Sequence, residues 1–223
     1  MRGTLAVLLL LAACGPRESG QPTGCPQDPA FDRSGFVKVH GEFPPAVLRH
    51  DLDLAGLARE TVTTRASGRS QGLTKVESQL SFRSLVRSRT GDGQTCVWME
   101  EVGVDLTPTT VEIFIPSEYP DGTCEYDAIL VHERDHERVY RERMAVAVEE
   151  IRTALITAKW LPARGNPLEV NDQSATEAML NAKIRKVVTP VYDKYKDDLV
   201  IAQAELDQPA LYQWVSKRCA GWK

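Results

Sequence analysis

His132-Glu133-Arg134-Asp135-His136 carries residue types at a spacing that could do chemistry. On a helix, residues i and i+4 share one face, so both imidazoles can reach a single cation. Glu133 stands next to the first of them. Zinc lowers the pKa of a bound water to about 7, and an adjacent carboxylate can then take its proton. The pattern predicts His132 and His136 as ligands of one zinc ion and Glu133 as the general base of a hydrolysis. A competing description exists. From His132 to Arg138 the charges alternate densely, and a solvated helix face laced with ion pairs would present the same residues.

A catalytic zinc usually has three protein ligands and one open position. The metzincin extension would need a histidine six residues after His136, and that position is Glu142. The third ligand must come from elsewhere. Two long helices are predicted (below), and antiparallel pairing about a turn near Pro167 would set residues 132 and 136 opposite roughly 198–203. Helix ends can shift by several residues, which widens the window to about 193–205, and Asp193, Asp197, Asp198 and Glu205 fall inside it. Asp193 and Asp197 share a face, and Asp197 is the favoured third ligand. Glu149 and Glu150 lie too far along the axis of the histidine helix. His40 and His50 read as surface histidines. Tyr140, four residues after His136, could orient a polarised carbonyl or simply pack. Trp98, Trp160, Trp214 and Trp222 read as core or interface residues. The sequence has no Gly-rich phosphate loop and no Gly-x-Ser-x-Gly elbow.

The elements that must position these residues show in the periodicity. Residues 36–40 make a short strand candidate, and 73–89 alternate in part as a half-buried strand does. Segments 96–106 and 110–116 read as a hairpin turning near Pro108. From Glu125 the apolar residues recur at helical spacing (Ile129, Met144, Val148, Ile151, Leu155), with a stop before Pro162. A second helix should start at a Ser174–Glu177 capping box, bend at Pro190 and fray near Gln208-Pro209, with a short helix ending at Cys219. The predicted fold is α+β: an antiparallel meander or hairpin sheet followed by two long antiparallel helices, the first carrying the histidines.

Residues 1–13 combine a positive start, a short apolar run and small residues, as an export signal does. Leu11-Ala12-Ala13-Cys14 resembles the bacterial lipobox, which implies cleavage before Cys14 and acylation of it. The resemblance implies a lipoprotein anchored in a membrane of the cell envelope. Gly15 after the cysteine points to the outer membrane, facing the periplasm or the cell surface. Residues 14–30 read as a flexible tether and 31–223 as one domain. The other four cysteines suggest two disulfides. The Pro108 hairpin would bring Cys96 near Cys124, leaving Cys25 to pair with Cys219. A formal charge of −4 gives no support for nucleic-acid binding, and 42% hydrophobic residues argue against a disordered chain.

Residues 124–136, Cys-Glu-Tyr-Asp-Ala-Ile-Leu-Val-His-Glu-Arg-Asp-His, resemble the core of a family of secreted or lipid-anchored bacterial proteins regarded as zinc-dependent proteases. Members carry a strand pair, a cysteine before the helix and Ala-x-x-x-His-Glu-x-x-His. Tyr192-Asp193 is similar to a Tyr-Asp pair on the following helix of some members, in which a histidine comes next. Here Asp197 and Asp198 stand instead. The resemblance implies a zincin-like envelope metallopeptidase acting on peptides or proteins. The alternative is a non-catalytic lipoprotein that binds a protein partner or braces the envelope.

Overall fold

A computed structural model of the chain describes residues 24–60, 71–210, 213, 217–220 and 222. The expected signal segment, Cys14, most of the expected tether and parts of the expected C-terminal helix lie outside the described residues. In chain order the elements are Val37–His40 (β1), Val47–Arg49 (β2), Leu54–Glu60 (α1), Leu73–Gly91 (β3), Gln94–Phe114 (β4), Cys124–Ile156 (α2), Leu168–Val170 (β5) and Gln173–Leu206 (α3).

β3 and β4 form one long antiparallel hairpin. Asp92 and Gly93 join them with φ of 50° and 78°, the positive values that a two-residue type I′ turn needs. The inward residues of β4 are Val97 and Met99, then Val102, Val104 and Leu106, then Val111 and Ile113. Their parity changes twice. Each change falls at a break in register: Leu85 faces Glu101 but Val86 faces Met99, and Glu77 faces Thr110 but Ser78 faces Pro108. Glu100 and Thr109 are thus the extra residues of two β-bulges, and both are exposed. One inserted residue flips every later side chain to the other face, which here keeps the apolar ones inward. The predicted turn at Pro108 does not form. Pro108 lies inside β4, beside a bulge, where a missing N–H is tolerated.

The second edge of β4 takes three short strands in succession. β5 pairs antiparallel with Thr95–Val97, β1 parallel with Val102–Asp105, and β2 parallel with Glu112–Phe114. The path β1-β4-β2 is parallel throughout, which overturns the expected antiparallel meander, and among the described residues there are three α-helices rather than two. Alternation reveals a strand but not its direction. The crossover that parallel pairing requires is made through α1 and β3. β2 was not expected at all: Val47 and Leu48 are exposed, so it carries no buried pattern.

α2 starts where Thr123 Oγ1 accepts from the Tyr126 N–H, and Glu125 and Asp127 sit at its positive end. It stops at Ile156, well ahead of Pro162. There the Arg33 guanidinium donates to the carbonyls of Ile156, Ala158 and Leu161. α3 is capped by Asp172, which accepts from Ala175 N, rather than by Ser174, and it continues through Pro190. One core lies between the sheet and these helices, with Val102, Val104 and Leu106 facing Met144, Ile151, Leu155, Leu180 and Ile184.

The disulfides are Cys25–Cys96 and Cys124–Cys219, with Cα atoms 5.6 and 5.8 Å apart. This corrects the expected Cys96–Cys124 and Cys25–Cys219. Because β4 runs unbroken through Pro108, Cys96 and Cys124 lie at opposite ends of roughly 60 Å of strand. Peptide mapping under non-reducing conditions should recover the 25–96 and 124–219 links. Replacing Cys124 and Cys219 together by serine should lower the unfolding free energy by about 2–5 kcal/mol. Recovery of a 96–124 peptide would refute this topology.

Candidate metal centre

The buried stripe of α2 is apolar except for His132, Glu133, His136 and Glu137, which are 9%, 3%, 7% and 6% exposed. Such groups are not left unpaired in a core. The two imidazoles, one turn apart, meet edge to face with ring centroids 4.7 Å apart. Their Nε2 atoms are 3.1 Å from each other. Asp207, the residue that ends α3, brings Oδ1 to 3.3 Å from His132 Nε2 and 3.1 Å from His136 Nε2. The histidines therefore converge in the interior, while Asp135, Arg138 and Glu142 form a solvent-facing, ion-paired side of the same helix.

The three donor atoms fit a metal ion. Zinc binds such donors at about 2.0–2.1 Å, and a tetrahedron of that size has ligand–ligand edges of about 3.3–3.4 Å. The observed edges of 3.1, 3.1 and 3.3 Å are close to that triangle. Hydrogen bonding alone serves it poorly. Two ring nitrogens facing each other and one carboxylate oxygen leave some edge without a suitably placed proton. His132, His136 and Asp207 could hold a metal ion. Asp207 is 38% exposed at its side chain, so the group is reached from solvent on that side.

The charges are arranged for one another. Burial works to raise the Asp207 pKa, but hydrogen bonds from His132 and His136 and their positive charge hold it well below the usual carboxylate range. Burial works to lower His136, yet Asp207, Glu133 and Gln203 push it up to about 9. An acid at a helix C-terminus opposes the helix dipole. Asp207 is placed against that preference, and positive charge in the centre compensates it.

Glu133 is held apart from this triangle by the start of β3. Thr74 Oγ1 lies 2.8 Å from Glu133 Oε2 and 2.9 Å from its backbone carbonyl. Burial pushes its carboxyl pKa up, against the lowering effect of both imidazoles and the Thr74 hydrogen bond. Gly72 makes the room. A Cβ there would stand 2.5 Å from Glu133 Oε1 and 2.6 Å from Ile129 Cγ2. Tyr140 is half-buried. Burial, then the charges of Asp207 and Glu133, raise its pKa, so it stays a protonated donor.

Of the predicted residues, His132, Glu133 and His136 come together as expected and Asp197 does not. Asp197 is exposed, nearly three turns before Asp207. Asp193 pairs with Lys196, Asp198 with Lys194, and Glu205 is exposed. β5 occupies part of the connection between the helices, and α3 starts only after it. The contacts of His136 with Gln203 and of His132 with Asp207 centre the helical pair near Val170, not Pro167. A slip at the hinge is doubled at the partner, so the acid lies beyond the expected window. The telling feature was an acid immediately before Gln208-Pro209, at the disfavoured end of a helix. His40 is exposed, and His50 faces the Ile115 carbonyl; neither joins the group.

Two outcomes follow from this geometry. After metal reconstitution the wild-type protein should hold about one divalent ion per chain. His132→Ala, His136→Ala and Asp207→Ala should lose it, while Asp197→Ala keeps it; elemental analysis decides. Loss of metal in Asp197→Ala with retention in Asp207→Ala would reverse the assignment. Gly72→Ala should cost about 1–3 kcal/mol in chemical denaturation, because the new methyl must displace Glu133 or Ile129. An unchanged midpoint would show that Glu133 is not packed against this glycine.

No protein-family model, curated protein or solved structure matches the chain.

Proposed function

We propose that this chain is a zinc-dependent metallopeptidase in which His132, His136 and Asp207 hold the ion and Glu133 is the general base. One observation carries the reading: three donors at the spacing of a tetrahedral ion's ligands, beside a buried carboxylate that is not one of them. Two imidazoles and one carboxylate are a donor set of catalytic zinc, whereas structural zinc sites are closed by four protein ligands. The accessible side at Asp207 supports the open kind. Bound there, zinc would polarise a carbonyl and acidify water.

The remaining work belongs to the chain's own groups. Thr74 and Gly72 fix the Glu133 carboxylate, and burial keeps its pKa up, which suits a group that must take and return a proton near neutral pH. Tyr140 is a neutral O–H within range of both carboxylate charges, suited to donate where negative charge develops. Among the described residues β3 pairs only with β4. Its other edge begins beside Glu133 at Thr74, and an extended peptide can add to a strand edge. That favours a peptide or protein substrate.

The two disulfides fit an oxidising, extracytoplasmic compartment. Among the described residues no helix is long and apolar enough to cross a membrane. The signal-like start and Leu11-Ala12-Ala13-Cys14 support a lipid anchor on Cys14 in the cell envelope, on the outer membrane.

Glu133→Gln separates base from ligand. It should keep zinc while hydrolysis of a broad peptide library falls by about 10²–10⁴-fold. Metal lost together with activity would make Glu133 a ligand. Zinc retained by a wild type that cleaves no peptide would replace the enzyme with a metal-stabilised binding module.

A further inference from the structure

Only an unprotonated ring nitrogen can bind a cation, so a neutral histidine ligand must carry its proton on the other nitrogen. His136 turns Nε2 to His132 and Asp207, and turns Nδ1 to Oε1 of Gln203 on α3. Gln203 makes a second contact with the same residue. Its Nε2 lies 3.2 Å from the backbone carbonyl of His136. A carbonyl only accepts, so the amide nitrogen, not the oxygen, must face it. That fixes the amide oxygen toward Nδ1, and this oxygen also only accepts. Nδ1 must then carry a proton, so whenever the ring is neutral, as a ligand must be, Nε2 keeps the lone pair aimed into the triangle. Gln203 and Asp207 are i, i+4 neighbours, so one face of α3 supplies both the acid and this clamp.

We propose that Gln203 is a positioning residue that selects the Nδ1–H tautomer of His136 and thereby sets the metal affinity of the centre. The proposal rests on the reading of His132, His136 and Asp207 as metal ligands. Gln203 holds the ring and the backbone of His136 together, so it fixes ring orientation as well as proton position. Partners of this kind behind a ligand typically change metal affinity by 10–100-fold.

The test compares wild type, Gln203→Leu and Gln203→Glu. The leucine removes both contacts. The glutamate keeps an acceptor for Nδ1–H but loses the donor to the carbonyl. Long-range proton–nitrogen NMR on metal-free protein, at a pH where the ring is neutral, reads the His136 tautomer. Competition against a chromogenic chelator reads the zinc Kd without any assay of activity. Wild type should show Nδ1–H. Gln203→Leu should move toward Nε2–H and weaken zinc by about 10–100-fold. Gln203→Glu should restore the tautomer and most of the affinity, which a merely structural glutamine would not do. A Gln203→Leu protein with native circular dichroism, wild-type tautomer and wild-type Kd would overturn the proposal. If Gln203→Leu does not fold, a folded Gln203→Glu whose His136 carries its proton on Nε2 would overturn it equally. Wild type that shows Nδ1–H yet binds no zinc would end the metal reading and the claim on affinity, and leave tautomer selection standing.

Discussion

Four polar side chains buried in succession on one helix constrain the rest of this molecule. His132, Glu133, His136 and Glu137 all lie in the apolar stripe of α2. An unpaired polar group there costs about 1–3 kcal/mol, and more if it is charged. Each is answered from a different direction. β3 supplies Thr74 to Glu133, and the end of α3 supplies Asp207 to both histidines. Arg134 and Arg141, on α2 itself, hold the two oxygens of Glu137. Arg141 also donates to the Phe43 carbonyl and lies over the Phe43 ring, tying α2 to the segment before β2. Sliding α2 against any of these neighbours would orphan at least one buried group, so the centre and the packing are specified together.

β4 plays the corresponding part for the sheet. It pairs along nearly its whole length with β3, while its other edge is divided among β5, β1 and β2. A strand this long could not stay in phase with one core if it were regular, since twist would carry its faces away. The bulges at Glu100 and Thr109 reset the phase, and the α2–α3 layer packs on the result. Cys124–Cys219 then fastens the start of α2 to the C-terminal segment, where Ala128, Cys219 and Trp222 pack together.

What could be read from the amino-acid order was what depends on short separations. His132, Glu133 and His136 are legible because helical geometry relates i to i+4 whatever the rest of the chain does. Asp207 was not, because its place depends on where two helices meet across a connection of unknown length. The β4 strand was divided in two because each bulge breaks the alternation and Pro108 imitates a turn. The real turn, Asp92-Gly93, is a strong local cue for a hairpin. The sheet class failed for a different reason: the directions of β1 and β2 are set by partners distant in the chain, and alternation is blind to direction. The disulfide pairing inherited the error at Pro108, since it assumed a chain reversal where the strand continues.

Cys25–Cys96 fixes where the N-terminal segment joins the domain. Cys96 pairs across the hairpin with Arg89, next to the Asp92-Gly93 tip, whereas Thr74 and Glu133 lie at the other end of the same two strands. From Thr74 to Arg89 is roughly 50 Å of strand. A chain attached through residues ahead of Cys25 would therefore be held near the hairpin tip, with the His132, His136 and Asp207 group toward the far end. The stiffness of the hairpin would then set how far that group stands from the point of attachment.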